Sequence, residues 1–239
     1  MGNTPPVVRN LIIINVVVWL GTMLFIRMFQ TNLTFRLGLF PFPSPLFYPW
    51  QIVTHMFMHS TDRIYHILFN MWALWMFGKV LESVWGGKRF LIYYLATGLG
   101  AMLLHMLVNY IQLAPDIAAL KAAYSVDRIN ISLLNEILKP GNPFYELGWE
   151  LTRPTVGASG AVYGVLLAFG MLFPNTPLII IPIPVPIKAK WIVIAAAAIS
   201  LFLGLSGQAG GVAHFAHLGG MIFGFMLIKY WNKFTRNFY

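Results

Sequence analysis

Cysteine is absent from this chain of 239 residues, which excludes disulfides and thiolate metal sites. Charge is scarce as well: Asp, Glu, Lys and Arg make up 10% of residues, against about 25% in soluble domains. Acids are the scarcer sign, 7 against 16 basic residues. The net charge of +9 comes without a basic run or a basic motif, so nucleic acid is not an expected partner. Excess Lys and Arg in an apolar chain more often sets orientation at the inner face of a membrane. Internal repeats and a second globular composition are also missing, so 1–239 reads as one membrane domain.

What the chain has in abundance is apolar surface, with 58% hydrophobic residues and a mean hydropathy of +0.71. A transmembrane helix needs about 20 mostly apolar residues. Six runs qualify, roughly 10–29, 64–85, 90–111, 156–173, 190–206 and 213–231. The expected fold class is therefore all-α, a polytopic bundle of six spans in a lipid bilayer. Only Arg9 precedes the first run and no A-x-A-like site follows it, so a retained span is expected rather than a cleaved signal peptide. With the N-terminus inside, the inner segments hold 9 Lys and Arg and the outer segments 7. Four of the outer seven, Lys121, Arg128, Lys139 and Arg153, sit in one long connection, where they count for less. Both termini are expected to be cytoplasmic, in a bacterial inner (plasma) membrane.

Two connections stand apart. Residues 30–63, with PFPSP and FYPW, are too irregular to span and too apolar for a solvated loop. Irregular backbone at membrane depth is tolerated only against protein or a cavity, so an embedded first loop is expected. Residues 112–155 carry Asp116, Lys121, Asp127, Arg128, Glu136 and Lys139 and read as a long amphipathic connection between the third and fourth spans.

Polar side chains inside spans are costly and point to function. The second span opens HILFN, with His66 and Asn70 four apart on one helical face. The fourth opens GASGAVYG, with Gly157, Ser159, Gly160 and, one turn after the serine, Tyr163. The sixth opens AHFAHLGGMIFG, with His214 and His217. Spans alternate in direction, so the starts of the second, fourth and sixth share a side, and His66, Ser159 and His217 reach a similar depth. Singly, each has an ordinary explanation. GAVYG and GMIFG match a helix-packing motif, a lone His suits an interface, and a lone Asn bonds neighbouring helices. His105 and Asn109, also four apart at the outer end of the third span, show that such pairs need not be catalytic. The shared depth of three helices is what points to a site. Packing and chemistry are compatible: Gly220 and Gly224 follow His217 on its own face and let the sixth helix press close. A serine and its base must come within about 2.6–3.2 Å.

A hydroxyl needs a base to become a nucleophile at neutral pH. His217, in register with the glycine face, suits that better than His214. A carboxylate to complete a triad is lacking, because every acid except Glu82 falls in outer loops and Glu82 lies near the inner end of its helix. The pattern is a Ser159–His217 dyad, with Tyr163 able to hold the imidazole by stacking. His66, Asn70 and the Ser159 backbone N–H can donate to a developing oxyanion. The start of a helix adds the positive end of its dipole. Hydrolysis of an ester or amide is the reaction class.

The G-A-S-G, H-I-L-F-N and H-L-G-G-M-I-F-G segments together resemble the rhomboid family of intramembrane serine proteases. The resemblance covers essentially all six spans. It implies Ser159 as nucleophile, His217 as general base, His66 and Asn70 as oxyanion-hole donors and Tyr163 behind the histidine. It implies an embedded loop matching 30–63, transmembrane protein substrates cut in or near their spans, and no metal or cofactor. The family's first loop often carries a Trp-Arg pair, where this chain has Trp50-Gln51. Gln51 can bond backbone but cannot pair with phosphate or carboxylate.

Two other readings compete. All six histidines fall toward the outer side, which would suit a His-ligated metal or haem membrane protein, yet no H-E-x-x-H occurs and no carboxylate joins the cluster. A catalytically silent relative that binds membrane helices would more often lack the serine or the histidine. In the fifth span, AAAA (195–198) and the following GLSGQAGG (204–211) form a segment that could part to admit substrate.

Overall fold

The computed structural model describes residues 4–180, 183–206 and 211–234. Among the described residues, three helices are long and apolar enough to cross a membrane: α1 (Pro6–Phe29), α2 (Ile64–Trp85) and α3 (Gly87–Tyr124). Two short helices follow, α4 (Ile131–Ile137) and α5 (Tyr145–Leu151). Helix α6 (Ser159–Leu172) leads into an antiparallel hairpin of β1 (Pro177–Ile180) and β2 (Ile183–Lys188). The chain then forms α7 (Ala189–Leu205) and α8 (Gly211–Phe234). Each of the six apolar runs thus lies largely on a helix, and the described residues are mostly helical with one small hairpin. Of the glycine-rich segment after the fifth span, residues 207–210 lie outside the described residues.

The bundle exposes large apolar side chains on its outside and holds polar side chains within an otherwise apolar interior. Val17 and Leu24 on α1, Leu68 on α2, Leu107 on α3 and Phe202 on α7 are exposed, while Asn15, Thr22, Asn70, Thr97, His105, Asn109 and Ser200 are buried. Lipid accepts the first set, and only other protein groups can satisfy the second. The protein is an integral membrane protein.

Helix α6 sits in the middle, packed against α2, α3, α7 and α8. Its 14 residues rise only about 21 Å at 1.5 Å each, short of a hydrocarbon layer of about 30 Å. Small residues let its neighbours approach. A Cβ on Gly164 would fall 2.6 Å from that of Thr97 on α3, and one on Gly160 would strike Ala101. Across α2 the helix widens into a π-helical turn at Leu74–Gly78, which packs on α6.

Residues 112–155 do not begin as a separate connection. Helix α3 runs on through Pro115 to Tyr124, because Leu113, Ile117 and Leu120 continue one apolar stripe. That stripe closes a second core with Ile129, Leu133, Leu134 and Ile137 and with Leu147 and Leu151 on α5. Asn130 caps α4 by accepting the Leu133 N–H at 2.8 Å.

The first loop is pinned by Gln51, which is fully buried. Its Oε1 accepts the N–H groups of Tyr48 (3.1 Å) and Phe40 (3.4 Å), and its Nε2 donates to the carbonyls of Leu46 (3.0 Å) and Arg36 (3.4 Å). The amide therefore anchors the loop to itself rather than to lipid. Leu39 and Thr155 exchange two backbone hydrogen bonds, at 2.9 and 2.8 Å, and Ser44 Oγ donates to the Leu151 carbonyl at 2.7 Å. The loop is thereby fastened to the strand of chain that enters α6. At the opposite end of the bundle, Glu82 caps α1 from α2: its two oxygens accept the N–H groups of Val7 (2.9 Å) and Val8 (2.7 Å).

Candidate active site

Ser159 is the first residue of α6, and His217 lies two turns into α8. Serine Oγ and histidine Nε2 share a hydrogen bond of 3.0 Å across 58 positions of sequence. The approach depends on Gly220, one turn after His217: a Cβ there would land on the Gly160 carbonyl oxygen. Gly224 continues the same face, where a Cβ would strike the Tyr93 hydroxyl. That hydroxyl donates to the Gly164 carbonyl at 2.9 Å and so ties α3 to α6 just below the site.

Tyr163, one turn after Ser159, lies flat on His217, with ring centroids 4.0 Å apart and planes 8° from parallel. The His217 Nδ1 is buried without a hydrogen-bond partner among the described residues. The ring is therefore oriented by a stacked aromatic face and by the serine, with no carboxylate behind it. His214 meets His217 edge-on at 5.7 Å and stands outside the serine contact.

Gly157 joins the third histidine to the serine. Its φ of 129° is closed to residues with a Cβ, and a Cβ built there would lie 3.0 Å from His66 Nε2 and 3.7 Å from Ser159 Oγ. His66 Nδ1 faces the Ser60 N–H at 3.4 Å. A nitrogen that accepts leaves the proton on Nε2, the side turned toward Gly157 and Ser159. Asn70 is buried one turn below, where its Nδ2 donates to the His66 carbonyl at 2.8 Å. One of its two amide N–H groups is thus engaged within α2.

Several contributors escape a reading by residue type. The His55 carbonyl accepts the Gly157 N–H at 3.0 Å and holds that glycine in its turn. Thr155 Oγ1 and His105 Nε2 are hydrogen-bonded at 2.7 Å, which fixes the same approach from α3. His59 is fully buried, and its ring lies 5.1 Å from that of His66. Burial pushes the loop histidines down, His55 to about 4 and His59 to about 3, so both are neutral at pH 7. Backbone carbonyls carry no residue signature, so only the cluster of HMFMH before HILFN hinted at this support. Among the described residues, no three His, Asp or Glu side chains converge as a metal site.

A shared proton between hydroxyl and imidazole, a stacked ring and an N–H aimed past the serine suit acyl transfer. A family model for the Rhomboid domain matches residues 47–233, which contain all these groups. The chain is 26% identical to Rhomboid protein 1, mitochondrial, of Saccharomyces cerevisiae over 183 residues, 77% of this chain and 42% of that one. It is 30% identical to Rhomboid-like protein 11, chloroplastic, of Arabidopsis thaliana over 123 residues, 48% of this chain and 43% of the relative. Against Rhomboid protease GluP of Bacillus subtilis it is 40% identical over 50 residues, 21% of this chain and 10% of that protein. The chain spans about two fifths of the length of the first two of these relatives. On the extent of the family match, the chain belongs to the rhomboid family.

Proposed function

We propose that this protein is an intramembrane serine endopeptidase that hydrolyses peptide bonds in or near the transmembrane segments of other membrane proteins. The observation that carries the reading is the 3.0 Å contact between Ser159 Oγ and His217 Nε2 at the start of a buried, shortened helix. His217 takes the hydroxyl proton as Oγ bonds to the scissile carbonyl carbon, and the carbonyl electron pair moves to oxygen. The oxyanion is met by His66 Nε2–H, the Ser159 backbone N–H and the remaining N–H of the Asn70 amide. The first N–H of a helix has no partner within it, so Ser159 offers one without cost. Collapse breaks the C–N bond, and the imidazolium returns its proton to the leaving amine. Water, deprotonated by the same His217, then attacks the acyl carbon; the C–Oγ bond breaks and the imidazolium returns the proton to Ser159 Oγ.

Tyr163 replaces the aspartate of a triad by holding the ring plane, and Gly157, Gly160, Gly220 and Gly224 provide the room. The shortness of α6 supports a cut below the bilayer surface, with both chain termini on the cytoplasmic face and the site toward the other side. The reaction needs no metal or cofactor. The test is cleavage of a fluorogenic transmembrane peptide in liposomes by wild type and Ser159→Ala. Activity that vanishes in the variant supports the dyad; equal activity in both overturns it. Inactivity of both across several substrates favours the helix-binding alternative.

A further inference from the structure

At the end of the bundle remote from Ser159, α2 turns into α3 while the last turns of α8 run beside them. An open groove of about 650 Å³ lies there, lined by the Gly86–Gly87 turn, Lys88, Arg89, Ile92, Trp85 and Trp231. Among the described residues, none that lines it is acidic. Glu82 stands behind the turn with both oxygens committed to Val7 and Val8. The floor is aromatic, since Trp85 meets Trp231 edge-on at 5.8 Å and the Arg89 guanidinium lies 5.4 Å from the Trp231 ring. Ile92, one turn along α3, is 48% exposed and continues the groove onto the lipid-facing side.

We propose that this groove binds the phosphodiester headgroup of an anionic phospholipid, with Lys88 and Arg89 on the phosphate and an acyl chain along Ile92. Charge, depth and shape agree on that occupant. Two adjacent cations complement one phosphate, and Arg offers it a planar pair of donors. Tryptophan pairs settle at the level of headgroups, where one edge is wet and the ring is apolar. The opening toward Ile92 suits a ligand with a hydrocarbon tail and gives a free anion nothing to enclose it. Other cations at this end are disposed differently: Lys79 lies 4.0 Å over Trp75 and Lys190 5.5 Å from Trp191, and neither lines the groove. The site is separate from the Ser159 region, so it stands whether or not the protein cleaves peptides.

The test is native mass spectrometry of the full chain released from mixed micelles with equal phosphatidylcholine and phosphatidylglycerol. Wild type should retain one phosphatidylglycerol in preference, and millimolar glycerol phosphate should not displace it. In Lys88→Gln/Arg89→Gln the preference should fall roughly 30-fold, as expected for two basic groups at a charged surface. Lys190→Gln should keep it. Equal retention of the two lipids by wild type overturns the proposal without reference to any variant. So does displacement by glycerol phosphate, or a double variant that keeps its selectivity.

Discussion

Replacing Gly220 by alanine should separate the serine from its base while leaving both in the chain. The added Cβ falls on the Gly160 carbonyl oxygen. That atom is backbone of α6, so it cannot swing aside as a side-chain tip would. The helices α6 and α8 must part by roughly an ångström, at an overpacking cost of about 1–3 kcal/mol. The parting occurs one turn from a hydrogen bond of 3.0 Å, and a 1 Å misplacement at a reacting centre costs about 100-fold in rate. The assay is kcat/KM for a fluorogenic transmembrane substrate in liposomes, read beside thermal unfolding in detergent. Gly170→Ala is the matched control. Its Cβ would press on Val193 of α7, three turns and about 16 Å along α6 from Ser159. The expected result is a loss of stability in both variants, smaller in Gly170→Ala where a side chain can give, with the roughly 100-fold loss of activity confined to Gly220→Ala. If Gly220→Ala cleaves at the wild-type rate, the close helix contact is not what forms the pair.

Tyr163→Phe should keep most activity because the ring stacked on His217 remains, whereas Tyr163→Ala should lose about 10-fold or more through a mispositioned base; equal rates for the two would remove the orienting role of the ring. Glu82→Ala leaves two N–H groups of α1 without their carboxylate and should destabilise the bundle by roughly 2–4 kcal/mol, measured as a lowered Tm, while kcat/KM for the folded fraction stays near wild type. An unchanged Tm would mean that water replaces the cap. Acid should also weaken the first loop. His55 and His59 are held to about 4 and about 3 when folded, against 6.5 for a free imidazole. The unfolded chain therefore binds more protons as pH falls below 6.5, and stability is lost progressively toward pH 4, by up to about 1.4 kcal/mol per pH unit for each ring. A Tm that is flat between pH 7 and pH 4.5 would show that these rings are solvated.

Much of the site was legible because membrane burial makes polar residues conspicuous. His66, Ser159 and His217 stood out against apolar runs, and alternation of direction alone set them at one depth. The glycine face of α8 was readable for the same reason, since three- and four-residue spacing fixes which residues share a side. Other features were hidden by their physics. Asp116 and Lys121 dilute the hydropathy beyond residue 111, yet Leu113, Ile117 and Leu120 extend the helix into a second core. Pro177, Pro184 and Pro186 argue against strands, since each removes a ladder donor, and a two-stranded hairpin forms there nonetheless, with a shift of register between Leu178 and Ile180. Gln51 read as a weakened lipid anchor, but its worth lies in four backbone partners that sequence spacing does not reveal. The support of Gly157 by the His55 carbonyl comes from backbone, which looks the same in every residue.

The most direct measurement is covalent labelling of the reconstituted protein with a serine-reactive fluorophosphonate, read by intact mass and peptide mapping. A single adduct on Ser159, abolished in Ser159→Ala and reduced at least 100-fold in His217→Ala, is the predicted result. An adduct on another residue, or undiminished labelling without His217, would contradict the Ser159–His217 dyad.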